Sequence, residues 1–478
     1  MKMLIGGKAK GSSDHKTIAI YNSATQELID EVPSATKEDV NEAINIAKQG
    51  KKLWSAMPTH ARARILLKCA DVLEAHVEEL AVLLSTEMGK IIREARGEVD
   101  CAVQILRGYV EKAKHFYGKT MTDAQPSCDK DIIFTRREPL GVIACIAPFN
   151  YPVELSMHKV ASALSVGNSV ILKPATENPL TLIRIVELML KAGMPGSALQ
   201  IVTGRGSLVG SLLVESTDID AVSFTGSTEV GLQIAQNASR TLKHLFLELG
   251  GNDPFIVFDD ADMELAVNEC ASGRIQNAGQ TCCAPKRFLV QNSIKDIFVG
   301  KLIERLKSVK RGSPLDEQTE LGALISPKAA LEVQKQVEQT IEQGAKCVFG
   351  GTLSQPTYFE PAVLLDIATD MSICKDMEIF GPVFPIIGFD MEEEAISIAN
   401  NTPFGLNAGI MTKDMKKAFR VASKMECGSV IINGSGNYRN IDQPHGGRKM
   451  TGLGREGVSY TLEEMTQPKA YILKSVLQ

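Results

Sequence analysis

The sequence predicts an α/β fold, with a doubly wound parallel sheet and a second α/β domain. Two observations carry this. Between residues 141 and 249, short apolar strands alternate with segments of helical length, the rhythm of a parallel sheet covered on both faces. After Gly251 the alternation resumes for a second series. The length, 478 residues, suits two or three domains rather than one.

Residues 17–21 and 27–32 read as short strands. Three helical segments come next. The first covers 37–55, with Thr36 as its N-cap. The second covers 59–88 and carries Leu66, Ala70, Val72, Leu73 and Val77 at helical spacing. The third covers 91–117, where Val99, Val103, Leu106 and Val110 mark a core face. Residues 118–131 are polar and turn-like, and 132–138 read as a strand. The alternating region gives strands at 142–147, 168–173, 199–203, 219–224 and 245–249. Helices are expected at 179–192, begun by proline and stopped at Gly193, at 207–215 and at 229–239. The second series gives strands at 255–258, 288–290, 347–349 and 429–433, with helices from Met263 and over 293–309 and 329–342. The tail at 471–474 is a last strand, and Pro468 puts it at a sheet edge.

Composition narrows the function. Charged residues are 23% and hydrophobic residues 44%, an ordinary soluble mix. A net charge of −5 argues against a dedicated nucleic-acid binder. No apolar run has the length of a membrane span, and the N-terminus has no signal-peptide core. Ten cysteines contain no C-x-x-C, so neither a metal site nor a disulfide framework is expected. A reducing cytoplasm is the expected location.

Two stretches carry the chemistry. Gln276-Asn277-Ala278-Gly279-Gln280-Thr281-Cys282-Cys283 puts a cysteine after small and amide residues, where backbone can approach a ligand and an N–H can hold an oxyanion. Most lone cysteines are inert core, and a second signal is needed. Leu247-Glu248-Leu249-Gly250-Gly251 supplies it, a glutamate closing an apolar run before two glycines. For the dinucleotide, two glycine patterns compete. Gly452-Leu453-Gly454-Arg455-Glu456-Gly457 fits G-x-G-x-x-G by letters but follows no strand, so it is rejected. Phe224-Thr225-Gly226-Ser227-Thr228 follows a strand and opens a helix, whose free N–H groups attract pyrophosphate.

Together these stretches resemble the aldehyde dehydrogenase superfamily. The resemblance runs from about Asn22 to Thr466 and rests on P-F-N-Y-P, K-P-A, F-T-G-S-T, L-E-L-G-G, G-Q-T-C and E-I-F-G-P-V. It implies Cys282 as nucleophile, Glu248 as the base that activates water, and Asn150 as oxyanion donor. It implies Lys173, Thr176, Gly226, Ser227, Glu378 and Phe380 as residues that bind NAD or NADP. Lys159 is a second-rank candidate near the site, and Cys283 is expected to be structural. The implied units are a dinucleotide-binding domain (1–116, 138–249 and 447–460), a catalytic domain (250–446) and a small β oligomerisation extension (117–137 and 461–478). A homodimer or homotetramer is the implied assembly, with no nucleic-acid or membrane partner.

Glu248 favours hydrolytic over coenzyme-A-acylating relatives. A retired relative with a structural role is the other class, and intact Cys282, Glu248 and Asn150 argue against it. For substrate, Asn433-Gly434-Ser435-Gly436-Asn437-Tyr438-Arg439 is similar to lactaldehyde and glyceraldehyde dehydrogenases. Arg439, Tyr151 and Arg107 are the candidate substrate-binding residues, and a short hydroxylated aldehyde is expected. Succinate semialdehyde is the alternative, with His158 standing where such enzymes have arginine. Thr176 replaces the glutamate of many NAD-specific relatives, which predicts a preference for NADP, with Lys173 to attract its phosphate.

Overall fold

The structure is a computed structural model and describes residues 1–122 and 124–477. Asp123, within the expected 117–137 ribbon, and Gln478, at the end of the 461–478 segment, lie outside the described residues.

The first alternating series forms the core of an eight-stranded sheet. Five parallel strands stand in the order Leu199–Ile201, Ser169–Lys173, Val142–Ile146, Ala221–Thr225 and His244–Glu248. Each is fully buried except the last. The order runs outward from Val142–Ile146 in both directions. The carboxyl ends of Val142–Ile146 and Ala221–Thr225 therefore flank a topological switch point, where crevices for ligands open. At the outer edges Met3–Ile5 and Gly452–Leu453 pair antiparallel. One face of this sheet packs under the helices Thr59–Glu74, Val77–Met88 and Ile92–Lys114 and the buried helix Pro152–Ser165. Trp54, the chain's one tryptophan, is buried there, and its indole N–H donates to the Leu164 carbonyl at 2.9 Å.

The second series makes a seven-stranded sheet in the order Lys346–Phe349, Ala362–Leu365, Val383–Phe389, Pro285–Gln291, Asp253–Val257, Asn407–Met411 and Ser429–Ile432. All are parallel but the first. This sheet has its own apolar core. A third sheet sets Ile132–Pro139 between Thr466–Leu473 and Thr120–Met121. Thr466–Leu473 is an edge, as Pro468 demands. No described helix is long and apolar enough to cross a membrane.

Several expectations are corrected. The helix over 59–88 is two, Thr59–Glu74 and Val77–Met88, interrupted at Ala75 and His76. The segment 91–117 is helical only as Ile92–Lys114. The helix Pro152–Ser165 was not anticipated. Thirteen of its fourteen residues are buried, all but Glu154, so Ser156, His158, Lys159 and Ser162 are polar letters inside the fold and mark no solvent face. Glu392–Asn400, Met415–Ala422 and Val458–Glu464 are short helices beyond those expected. Thr36 caps Lys37–Ala56 with a reciprocal box to Asp39.

Two buried arginines tie loops to the second sheet. Arg287 donates to the carbonyls of Asn252 (2.8 Å), Cys374 (3.2 Å), Ile398 (2.8 Å) and Ala399 (2.7 Å). Arg274 donates to Val383 and Ile379. Arg287→Met leaves four buried acceptors without their donor. Urea unfolding followed by far-UV circular dichroism is expected to show a loss of about 3 kcal/mol.

Candidate active site

The switch point is where the first sheet meets the Cys282 loop. After the helix Met263–Ile275 the chain turns through left-handed Asn277 (φ 49°), Ala278 (φ 54°) and Gly279 (φ 77°). A Cβ on Gly279 would lie 2.3 Å from the Gly381 backbone, so only glycine fits. Asn277 fixes the turn. Its amide donates to the carbonyls of Gln280 (3.1 Å) and Asn150 (2.9 Å), and its N–H donates to Glu94 at 2.9 Å.

Cys282 lines two cavities at once. One, of about 360 Å³, is walled by Asn150, Thr225, Gly226, Ser227, Gly250, Glu378 and Phe380. The other, of about 250 Å³, is walled by Glu94, Glu98, Tyr151, Glu154, Cys283, Asn437, Arg439 and His445. The Asn150 side-chain amide and the Cys282 N–H have no protein acceptor among the described residues, and both remain able to donate.

Several features of the larger cavity suit a phosphate-bearing cofactor. Ser227 caps the helix Thr228–Ala238, accepting from Val230 N–H at 3.4 Å, so the positive end of that helix meets the cavity. The buried Thr225 hydroxyl has no partner among the described residues. A Cβ on Gly250 would come 2.3 Å from Glu378 Oε2, so glycine keeps that wall open. Glu378 is held by Gly251 N–H at 3.0 Å, and Phe380 meets Phe149 edge-on at 5.8 Å. Lys173 and Thr176 stand beyond this lining, at the end of the neighbouring strand. Lys173 is buried and has no ion pair among the described residues. Burial lowers its ammonium to about 8, against the pull of Glu177.

Glu248 ends its strand beside Cys282. Burial, reinforced by the Glu456 carboxylate, pushes its carboxyl well above the usual range. The rejected glycine motif serves this residue. Gly452 pairs with Glu248, and a Cβ on Gly446 would lie 2.8 Å from Glu248 Oε1. Contact with the Cys283 thiol, then burial, pushes the Cys282 thiol up, and Lys286 and Arg439 oppose this. Lys159 forms a buried pair with Glu456 at 3.0 Å.

Arg439 lines the smaller cavity. It approaches Glu154 (3.7 Å) and Glu456 (3.4 Å) and donates to His158 Nε2 (3.4 Å), while its Nη1 has no partner among the described residues. His158 is buried, and burial lowers its imidazole to about 3, leaving it a neutral acceptor. The Tyr151 and Thr281 hydroxyls are also buried and lie beside each other. Arg107 is a correction. Its guanidinium lies on the outer face of the helix Ile92–Lys114, bound to Glu74 (2.7 Å) and Asp71 (3.0 Å), away from both cavities. The sequence reading passed over Lys90, Lys286 and Glu456. Each is a buried charge whose partners are distant or backbone, and a charged letter in a sequence reads first as surface.

A cysteine at the joint of a crevice on a switch point and a polar pocket is a layout open to cysteine-dependent oxidoreductase chemistry. The model of the Aldehyde dehydrogenase family matches residues 10–471, and the chain belongs to that family. It is an NAD(P)-dependent aldehyde dehydrogenase. It is 39% identical to a 3-sulfolactaldehyde dehydrogenase of Priestia aryabhattai, over 95% of this chain and 94% of that one. It is 36% identical to a lactaldehyde dehydrogenase of Methanococcus maripaludis, over 96% and 97%. Among solved structures, a betaine aldehyde dehydrogenase from Staphylococcus aureus in complex with NAD+ superposes with a TM-score of 0.96 at 35% identity, covering 100% of this chain and 95% of that one.

Proposed function

We propose that this enzyme oxidises a short hydroxylated aldehyde, lactaldehyde-like, to its acid, with NADP preferred. The observation that carries the reading is Cys282 at the joint of the two cavities, beside an Asn150 amide with no other partner. The Cys282 thiolate attacks the aldehyde carbon and forms a thiohemiacetal. The Asn150 amide and the Cys282 N–H donate to the oxyanion. Gly226, Ser227, Glu378 and Phe380 would hold NAD(P), with Lys173 and Thr176 at the adenosine end, and the bound cofactor supplies the hydride acceptor. Cys282 then carries the acyl group as a thioester. Glu248 takes a proton from water, which releases the acid. Cys282 and Glu248 both begin with raised proton affinities and must lose a proton to act.

The polar atoms of the smaller cavity support a hydroxylated substrate. Arg439 Nη1 is buried with no partner among the described residues, and the Tyr151 and Thr281 hydroxyls lie buried beside each other in the same cavity, where a substrate hydroxyl can join them. A carboxylate tail, as in succinate semialdehyde, has weaker support. Glu154 and Glu456 already neutralise Arg439, and Glu94 and Glu98 line the same wall.

The assembly reading is a homodimer or homotetramer. The third sheet supports it, since Tyr117, Met121, Ile472 and Leu473 are exposed apolar side chains on or beside it. The unit boundaries 1–116, 138–249 and 447–460 for dinucleotide binding, and 250–446 for catalysis, belong to the same reading. Cytoplasmic location is supported by ten cysteines that are all free.

Glu248→Gln is expected to give a burst of reduced cofactor near one per active site, then turnover slower by about a hundredfold or more. An unbroken wild-type rate would remove Glu248 from the mechanism. Tyr151→Phe is expected to raise KM for lactaldehyde by about tenfold, the loss of one hydrogen bond, and to leave propanal unchanged. Decanal or benzaldehyde emerging with the highest kcat/KM would overturn the substrate reading. For the cofactor, Thr176→Glu sets a carboxylate against the 2′-phosphate and is expected to lower kcat/KM mainly with NADP. An unchanged NADP-to-NAD ratio would show that Thr176 does not govern the choice.

A further inference from the structure

Lys90 follows the helix Val77–Met88 and is fully buried, as is its partner Glu98. A buried ion pair loses hydration on both sides and is seldom worth more than apolar packing. Its contribution is sought in geometry, and this pair touches every part of the Asn150 turn. The Lys90 ammonium binds Glu98, donates to the Asn150 carbonyl at 2.9 Å, and lies 3.5 Å above the centre of the Tyr151 ring. Asn277 donates to the same carbonyl from the other side, also at 2.9 Å. A carbonyl oxygen has two lone pairs, and both are used. The peptide plane between Asn150 and Tyr151 is thereby fixed. Glu98 Oε1 accepts from the N–H groups of Val153 (2.8 Å) and Glu154 (3.2 Å), holding the first turn of Pro152–Ser165. The Ser85 hydroxyl donates to the Lys90 carbonyl at 2.6 Å and anchors the lysine in turn. The Asn150 amide, with no protein partner among the described residues, points where this backbone sends it.

We propose that Lys90, braced by Glu98, is the positioning residue that aims the Asn150 amide at the oxyanion formed on the carbon bound to Cys282. This rests on the reading of Asn150 as oxyanion donor. Lys90 touches neither aldehyde nor cofactor and acts through Asn150. The interaction is one made in the transition state, so its loss falls on kcat.

The test is a double-mutant cycle. Lys90→Met with Glu98→Gln removes both charges, keeps side-chain volume and leaves an acceptor oxygen for Val153 and Glu154. In the Asn150 background this pair is expected to lower kcat by about 30- to 100-fold, as misplaced catalytic groups do. KM for the aldehyde and the dissociation constant for NADP are expected to stay within about threefold. In the Asn150→Ala background the same pair is expected to cost less than about threefold more, since the group it aims is gone. Lys90→Arg, which keeps the charge but moves the donor, is the companion variant and serves if the charge-free pair fails to fold. It is expected to lose about tenfold in kcat, and only with Asn150 present. An equal fold-loss in both backgrounds, or a Lys90→Arg enzyme at the wild-type rate, overturns the proposal. Asn150→Ala retaining full kcat removes the oxyanion reading and the proposal with it. A large loss for Asn150→Ala with additive loss from Lys90 removes only the latter.

Discussion

The Asn150 carbonyl is the point on which the site turns. It receives Lys90 from the helical layer and Asn277 from the nucleophile loop, each at 2.9 Å. One oxygen thus binds the strand end of the first sheet to the loop that carries Cys282, across 127 residues of sequence. Without it, the cysteine and the amide beside it belong to separate sheets, each with its own core. The left-handed run at Asn277, Ala278 and Gly279 is a local strain that such over-determined contacts maintain.

The electrostatics around Cys282 follow from the same closure. Acidic and basic groups alternate through the buried layer, as Glu98 with Lys90, Glu456 with Lys159, and Glu154 with Arg439. Glu456 shows the effect of this layering. Against the cost of burial, the Lys159 and Arg439 charges hold its carboxyl well below the usual range. Glu248, next to it and with no hydrogen-bonded partner among the described residues, is driven the other way. Two carboxyls a short distance apart are therefore set to different protonation states by their surroundings, an arrangement common where one acid must take up a proton and release it again.

Much of this was legible in the letters. Alternation gave both parallel sheets, because fully buried strands such as Val142–Ile146 read as unbroken apolar runs. Short motifs pointed to the residues that now line one cavity, Asn150, Gly226, Ser227, Cys282, Glu378 and Phe380. What escaped has physical reasons. Pro152–Ser165 is buried on every side but Glu154, so its Ser156, His158, Lys159 and Ser162 do not mark a solvent face. Arg107 sits on a helix whose opposite face is core, and periodicity alone does not say which neighbours a charged side chain meets. Lys90 and Lys286 are ammonium groups inside the fold, recognisable only once the carbonyls that hold them are known.

The position of Trp54 has a practical corollary. The chain has a single indole, and it lies wholly in the core beneath the first sheet, tied to the Leu164 carbonyl. Its emission therefore reports solvent entry into that core alone. The sheet that carries Cys282's own loop, with its separate packing around Phe255, Phe288 and Phe384, is spectroscopically silent at that wavelength. A single sigmoid in tryptophan fluorescence describes one half of the molecule, and only its coincidence with a backbone signal would justify treating the chain as melting in one step.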